Sequence, residues 1–390
     1  MPALPWFLPL ILGAMAAFGP LATDMYLPAF PAIAADLPAD PAAVQGTIAA
    51  FFAGMAAAQL VYGPLADRLG RKPPLLFGLA VFSLASLGCA MTGGIGTLTW
   101  LRFGQGLGGC AGMVMARAIV RDVAEGHAAI RLMAQLGLVM GLAPILAPSI
   151  GSLLLALGSW RLIFWLLAAY AALLAVAVTL FLPESLEPGR RRRDGPLAVI
   201  ATYLRLLRDR HFLGHTLAVA LPTAGMFAYI AGSPFVYMEL FGVTPEHYGL
   251  FFGLNALGIM ACAQGVARLT RRVLPGRLLL ATLTVMALAG FGLLGAALTG
   301  FGGFAAIAGL IFVYVAGIGA VMPLATTLAM GPQGQRAGSA SALIGTLQFG
   351  LGAVSGALVG LLHDGTARPM ALVIALSGLG GLLALRGLAR

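Results

Sequence analysis

Asp24 is the one acidic side chain set clearly inside an apolar run, Pro20-Leu-Ala-Thr-Asp-Met-Tyr-Leu-Pro28. An intramembrane carboxylate costs about 2.5–3.5 kcal/mol on insertion scales, so it is retained mostly where it faces a cavity or a partner. The chemistry on offer is proton uptake and release, or attraction of a polar or cationic ligand. A simple cap on the outer end of the first helix, beside Pro28 and Pro31, is the bland alternative. Arg102, in Leu101-Arg-Phe-Gly-Gln-Gly, is the second outlier. At 1.5 Å per residue it lies roughly 10 Å below the outer end of its helix, and Asp24 lies roughly 27 Å up the first helix. Both fall in the outer half of a membrane. A pair is open to them, directly or through Gln105 or water, and a purely structural ion pair would use the same geometry.

Gly63-Pro-Leu-Ala-Asp67-Arg68-Leu-Gly70-Arg71-Lys72 reads as a tight turn in which Gly70 permits a positive φ. Asp67 falls at the same depth as Arg117, Arg121 and Asp122. A charge network there would latch two helices and break during conformational change; the competing reading is charge that only sets topology. Pro144 and Pro148, with Gly141 and Gly151, predict a bend that shapes a gate, with generic packing as the competitor. The second half offers Tyr229, Ser233, Asn255, Gln264, Tyr314 and Gln348 as polar candidates inside its spans. Met226, Phe227, Phe235, Phe251, Phe252 and Met322 stand among them. With Tyr26 and Gln105 from the first half, such residues would line a cavity that holds apolar or aromatic molecules loosely. Each of them also reads as a helix-facing or lipid-facing side chain.

Enzyme chemistry finds no foothold. There is no Walker-type phosphate loop and no nucleophile elbow, and the five histidines lack metal spacing. Cys89, Cys110 and Cys262 sit singly in apolar segments. No metal, cofactor or disulfide is expected. A membrane-embedded enzyme would need a catalytic constellation, and a passive channel would show flux without proton dependence.

These residues need elements to hold them, and composition says which. The chain is 60% hydrophobic and 9% charged, with a mean hydropathy of +0.97, whereas soluble domains carry about 25% charged residues. Lipid is therefore the solvent. Apolar runs predict helices over 5–30, 43–66, 74–93, 95–120, 131–156 and 160–182, then over 212–238, 246–267, 276–299, 303–328, 337–362 and 369–388. The amino-terminal run reads as the first span rather than a signal peptide. The polar stretch 184–211, with arginines at 190–193 suited to anionic lipid headgroups, divides the chain. An amino-terminal bundle over 1–183 and a carboxy-terminal bundle over 212–390 are expected. Gly63-Pro-Leu-Ala-Asp-Arg and Gly265-Val-Ala-Arg-Leu-Thr-Arg-Arg, half a chain apart, echo one another. The net charge of +10 suggests nucleic acid less than it suggests positive-inside topology. The arginines fall in alternate short loops, which puts both termini in the cytoplasm.

Together these residues resemble the major facilitator superfamily, and within it the bicyclomycin-resistance (Bcr/CflA) type of drug efflux transporter, across nearly the whole chain. Gly63 to Lys72 resembles the superfamily's loop signature, and Leu101-Arg-Phe-Gly-Gln-Gly the fourth-helix signature of proton-coupled members. Asp24-Met-Tyr-Leu-Pro, Ala143-Pro-Ile-Leu-Ala-Pro148, Gly158-Ser-Trp-Arg-Leu-Ile-Phe-Trp165, Ser233-Pro-Phe-Val-Tyr and Gly338-Ser-Ala-Ser-Ala resemble the Bcr/CflA branch. Phe181-Leu-Pro-Glu-Ser185 is similar to the usual end of the sixth helix. The resemblance implies an all-α membrane protein with twelve transmembrane helices in two pseudo-symmetric six-helix bundles. It implies a proton-coupled antiporter exporting drug-like small molecules by alternating access, monomeric, in the bacterial inner membrane. Asp24 would be the proton and substrate site, Arg102 would serve proton coupling, and Asp67, Arg68 and Arg71 would serve gating. The alternative on the same fold is a proton-coupled transporter of a small metabolite such as an amino acid or sugar. Two departures matter. Helix five reads Ala147-Pro148 and Gly151-Ser152 where the antiporter signature has Gly-Pro and paired glycines. Ala16 and Ala17 stand where some multidrug relatives carry a second acid, which counts against dication transport and two-proton coupling.

Overall fold

Runs of some twenty apolar residues can satisfy their backbone groups in lipid only by coiling into helices, and helices are what the chain forms. A computed structural model describes residues 7–191 and 195–389. Arg192 and Arg193 of the basic run, and Arg390, lie outside the described residues. The expected first span is a broken rod: α1 (Leu8–Ala16), α2 (Phe18–Asp24), a 3-10 turn (Leu27–Ala29) and α3 (Phe30–Asp36). Its two parts, Leu8–Ala16 and Phe18–Asp36, meet at 41°. Pro20 lacks the N–H that would bond to the Ala16 carbonyl, which accounts for this bend, and Pro28 likewise leaves the Asp24 carbonyl without a helical donor, where α2 ends.

The other rods are α4 (Pro41–Leu69), α5 (Lys72–Met91), α6 (Ile95–Val123), α7 (Gly126–Leu157) and α8 (Arg161–Phe181). After the polar stretch, which carries the short helix α9 (Pro196–Arg208), come α10 (Arg210–Pro234), α11 (Pro245–Leu269), α12 (Pro275–Thr299), α13 (Gly303–Met330), α14 (Ala337–Leu361) and α15 (Arg368–Leu388). Among the described residues ten helices are long and apolar enough to cross a membrane, and eleven if the broken rod is one span. The twelfth rod, α6, has 29 residues; Arg102, Gln105 and Arg117 keep it from reading as apolar. The helices α4 and α7 outrun their expected bounds. Asp67 and Arg68 therefore sit on the last turn of α4 rather than in a loop, and α7 continues through Pro144 and Pro148.

Contacts repeat between the halves. The pairs α5–α6, α4–α6 and α5–α8 of the first half correspond to α12–α13, α11–α13 and α12–α15 of the second. The halves meet along α4–α14 and α7–α11. Large apolar side chains on the outer faces, among them Leu84, Leu153, Leu173, Leu250 and Leu288, are exposed. In water they would form an aggregating surface, and in a bilayer they meet acyl chains.

Candidate functional site

The break after α2 leaves Asp24 at a helix end and turns it toward the other half of the molecule. Its side chain is only 4% exposed. Thr23 Oγ1 donates to its Oδ1 at 2.8 Å, and the 3-10 turn just beyond it packs against α10 and α11 of the other half. Among the described residues no cation pairs with Asp24.

Arg102 goes elsewhere. Its Nη1 donates to the Ala22 carbonyl at 3.0 Å and to Gln105 Oε1. Gln105 Nε2 in turn donates to Ser86 Oγ at 2.7 Å. The guanidinium lies over the rings of Phe51, Tyr26 and Phe164 at 4.5, 4.6 and 5.8 Å. Tyr26 is fixed by Thr47 at 2.8 Å. Among the described residues, Nε and Nη2 of Arg102 have no hydrogen-bond partner. A buried cation is tolerated where donors are used and π faces replace water. This aromatic cage therefore ties α6 to the backbone of the first rod two residues before Asp24.

The second half brings Asn255 and Tyr229 together, Nδ2 donating to Oη at 2.9 Å, and Ser233 with Tyr248 at 2.8 Å. Both pairs are buried. Phe235 packs edge-on to His363 at 4.4 Å and joins neither. Gln348 Nε2 is buried without a hydrogen-bond partner among the described residues.

At the arginine-rich end the expected charge network exists with a different membership. Gly70 turns the chain at φ 96°, and a Cβ there would stand 2.4 Å from Glu184 Oε2. Arg71 bridges Asp67 at 2.6 Å and Asp122 at 2.8 Å, and Ser185 Oγ donates to Asp122 at 3.0 Å. Glu184 accepts the N–H groups of Arg71, Lys72 and Leu186 at 2.8, 3.1 and 3.0 Å. Partial burial pushes the Glu184 carboxyl up, but these N–H groups and the Arg191 charge outweigh it and hold it below the usual 4.5. Arg117 stands outside the network, with its Nε toward the Met113 carbonyl at 3.4 Å.

Between the halves at this end lies a cavity of about 650 Å³, walled by the ends of α4, α6, α13 and α14. Gln59, Asp67, Arg68, Arg71 and Arg117 line it, together with Pro64, Arg121, Tyr203, Thr326 and Ser341. Tyr203 of α9 donates to the Leu60 carbonyl at 3.2 Å, which ties α9 to the cavity wall. Asp24, Arg102, Tyr26, Gln105, Tyr229, Ser233, Phe235, Asn255 and Gln348 are not among its walls. Positions along α4 order the layers: Thr47 holds Tyr26, Phe52 packs on Phe227 at 4.2 Å, and Gln59 begins the cavity. Phe349 stacks on Phe227 at 5.6 Å. This aromatic cluster stands between the cavity and the Asp24 level, so the residues expected to line the cavity lie away from it; of those expected to gate it, Asp67, Arg68, Arg71 and Arg117 form its walls and Gly70, Asp122, Pro144 and Pro148 do not.

The family model for the Major Facilitator Superfamily matches residues 12–357. The chain belongs to that superfamily. It is 38% identical over 382 residues to the "Uncharacterized MFS-type transporter YdgK" of Bacillus subtilis, covering 97% of this chain and 94% of that one. It is 32% identical to the "Bicyclomycin resistance protein homolog" of Haemophilus influenzae, covering 93% and 90%. To the "Multidrug resistance protein MdtL" of Escherichia coli it is 30% identical, covering 86% and 83%. In three dimensions it resembles the xylose transporter XylE of E. coli in a partially occluded inward-open conformation, with a TM-score of 0.75 over 97% of each chain at 14% identity. A D-xylose-proton symporter gives 0.74 at 16% identity, over 98% of this chain and 96% of that one. The protein is a multi-pass membrane transporter, not an enzyme.

Within this major facilitator fold, sequence reasoning missed Thr23, Tyr248 and Phe164. Thr23 carried a signal, since a hydroxyl beside a buried carboxylate is a ready donor. Tyr248 and Phe164 carried none, because an aromatic in a span is usually packing.

Proposed function

We propose that this transporter is a proton-driven antiporter that exports drug-like small molecules by alternating access. The observation that carries the reading is Asp24, a buried carboxylate with no cationic partner among the described residues, held where the halves meet. Open to the more acidic side, Asp24 takes a proton, and the neutral carboxyl releases a polar or cationic drug. Open to the arginine-rich side, drug arrival favours proton loss. Arg102 clasps the Ala22 carbonyl rather than the carboxylate, so its role is to hold the first rod against α6 while Asp24 cycles. The cavity at the arginine-rich end and the closed Asp24 level describe one state of that cycle. The Arg71 network latches α4, α5 and α6 together, and Arg68, Pro144 and Pro148 complete the gate. We further propose two bundles over 1–183 and 212–390, a monomer, and both termini in the cytoplasm of a bacterial inner membrane. Relatives named for bicyclomycin and multidrug resistance support the drug-like cargo.

The test is drug resistance in cells expressing Asp24→Asn at wild-type membrane levels. Loss of resistance is expected. Full resistance would sink the assignment. Unchanged drug sensitivity together with proton-dependent metabolite flux in the wild type would favour an amino acid or sugar as cargo.

A further inference from the structure

Arg117 and Arg121 stand one turn apart on α6, both exposed to the 650 Å³ cavity. Arg117 is about 9 Å inside the end of its helix, deeper than charge that only sets topology needs to be. Arg68 and Arg71 share the wall, and the acidic residue facing them is Asp67. Arg71 engages both Asp67 and Asp122. Among the described residues no carboxylate lies within ion-pair distance of Arg68, Arg117 or Arg121. Like charges a turn apart repel, and a cleft with low-dielectric walls concentrates their field. Guanidinium forks match carboxylate, sulfonate or phosphate oxygens. Leu60, Val114, Met133 and Met330 give the wall an apolar part, and Gln59, Tyr203, Thr326, Ser339 and Ser341 add uncharged polar groups.

We propose that Arg117 and Arg121 form a docking site for the negatively charged group of a soluble amphiphile, whose apolar body lies along α4, α7 and α13. The cargo class is thus a zwitterionic amphiphile, whose anionic group is captured here before its cationic part reaches the Asp24 level. This rests on reading the cavity as the transport vestibule.

The test is fluorescence titration of the full-length protein in phosphatidylcholine nanodiscs, with empty discs subtracted. Anilinonaphthalene sulfonate is the probe, and phenylnaphthylamine, the same ring frame without the sulfonate, is its control. The wild type is expected to prefer the sulfonate. Arg117→Gln with Arg121→Gln is expected to weaken sulfonate binding about tenfold or more and to leave phenylnaphthylamine unchanged, which also shows the cavity intact. Arg117→Lys is expected to keep most of the preference. Equal binding of both probes to the wild type, or an equal loss of both in the double variant, overturns the proposal. So does displacement of the sulfonate by added phosphatidylglycerol, which would assign the site to a lipid headgroup. Export by Asp24→Asn is read separately. Coupling lost in Asp24→Asn with the charge preference absent in the wild type defeats only the docking proposal, and intact export in Asp24→Asn defeats only the proton scheme.

Discussion

Adding one methyl group at Gly106 tests how the Arg102 cage is held. The helices α4 and α6 meet backbone to backbone: a Cβ on Gly106 would lie 2.0 Å from the Phe51 carbonyl oxygen, and one on Gly54 would lie 2.1 Å from that of Phe103. Ordinary contact begins at 3.4 Å, so Gly106→Ala must part the helices by about 1.4 Å. No side chain can yield, because the obstacle is main chain. Overpacking of this kind costs about 1–3 kcal/mol. The same shift draws Arg102, on α6, away from the Phe51 ring, on α4, where contact is 4.5 Å, at a cost of about 0.5–2 kcal/mol. Gly295→Ala, with nothing within 4 Å of its Cβ, is the control and should gain helix propensity. Unfolding of the purified protein in mixed micelles is the assay. The result expected is a loss near 2 kcal/mol for Gly106→Ala and none for Gly295→Ala. Wild-type stability in Gly106→Ala would refute the close approach and the cage built on it.

Two further outcomes follow from side-chain geometry. Glu184 has its carboxyl held below 4.5 in the folded protein, so its contribution is present above that value and is lost as pH falls through the folded one. Wild type should therefore shed stability below about pH 4.5 that Glu184→Gln never had; parallel pH profiles for the two would remove the capping role. Tyr229→Phe leaves Asn255 Nδ2 without its acceptor and should cost about 1–3 kcal/mol, whereas Tyr229→Phe combined with Asn255→Leu should recover most of it. A double variant worse than the single would mean the pair is not coupled.

Much of this was legible in the sequence because lipid makes polarity conspicuous. Asp24 and Arg102 stood out as charges in apolar runs, and the structure finds both buried. Gly70 announced itself through its turn, and its φ of 96° agrees. The partner of Arg102 was not legible. A guanidinium roughly level with a carboxylate reads as its partner, but the rod breaks at its prolines, and Arg102 bonds to the backbone carbonyl of Ala22. Membership of the charge network was half legible: Arg71 reaches two aspartates because α4 runs on to Leu69, while Arg117 points to the cavity. Which residues face open space depends on how the helices pack against one another, which a linear pattern does not fix, so Tyr229 and Asn255 read as cavity residues although both are buried.

The most direct measurement is proton movement across proteoliposomes when a drug gradient is imposed, for wild type and Asp24→Asn side by side. The account expects drug-driven proton counterflow in the wild type and none in the variant, with drug binding in the variant still detectable. Proton counterflow that survives Asp24→Asn would show that the proton travels by another route and would contradict the account at its centre.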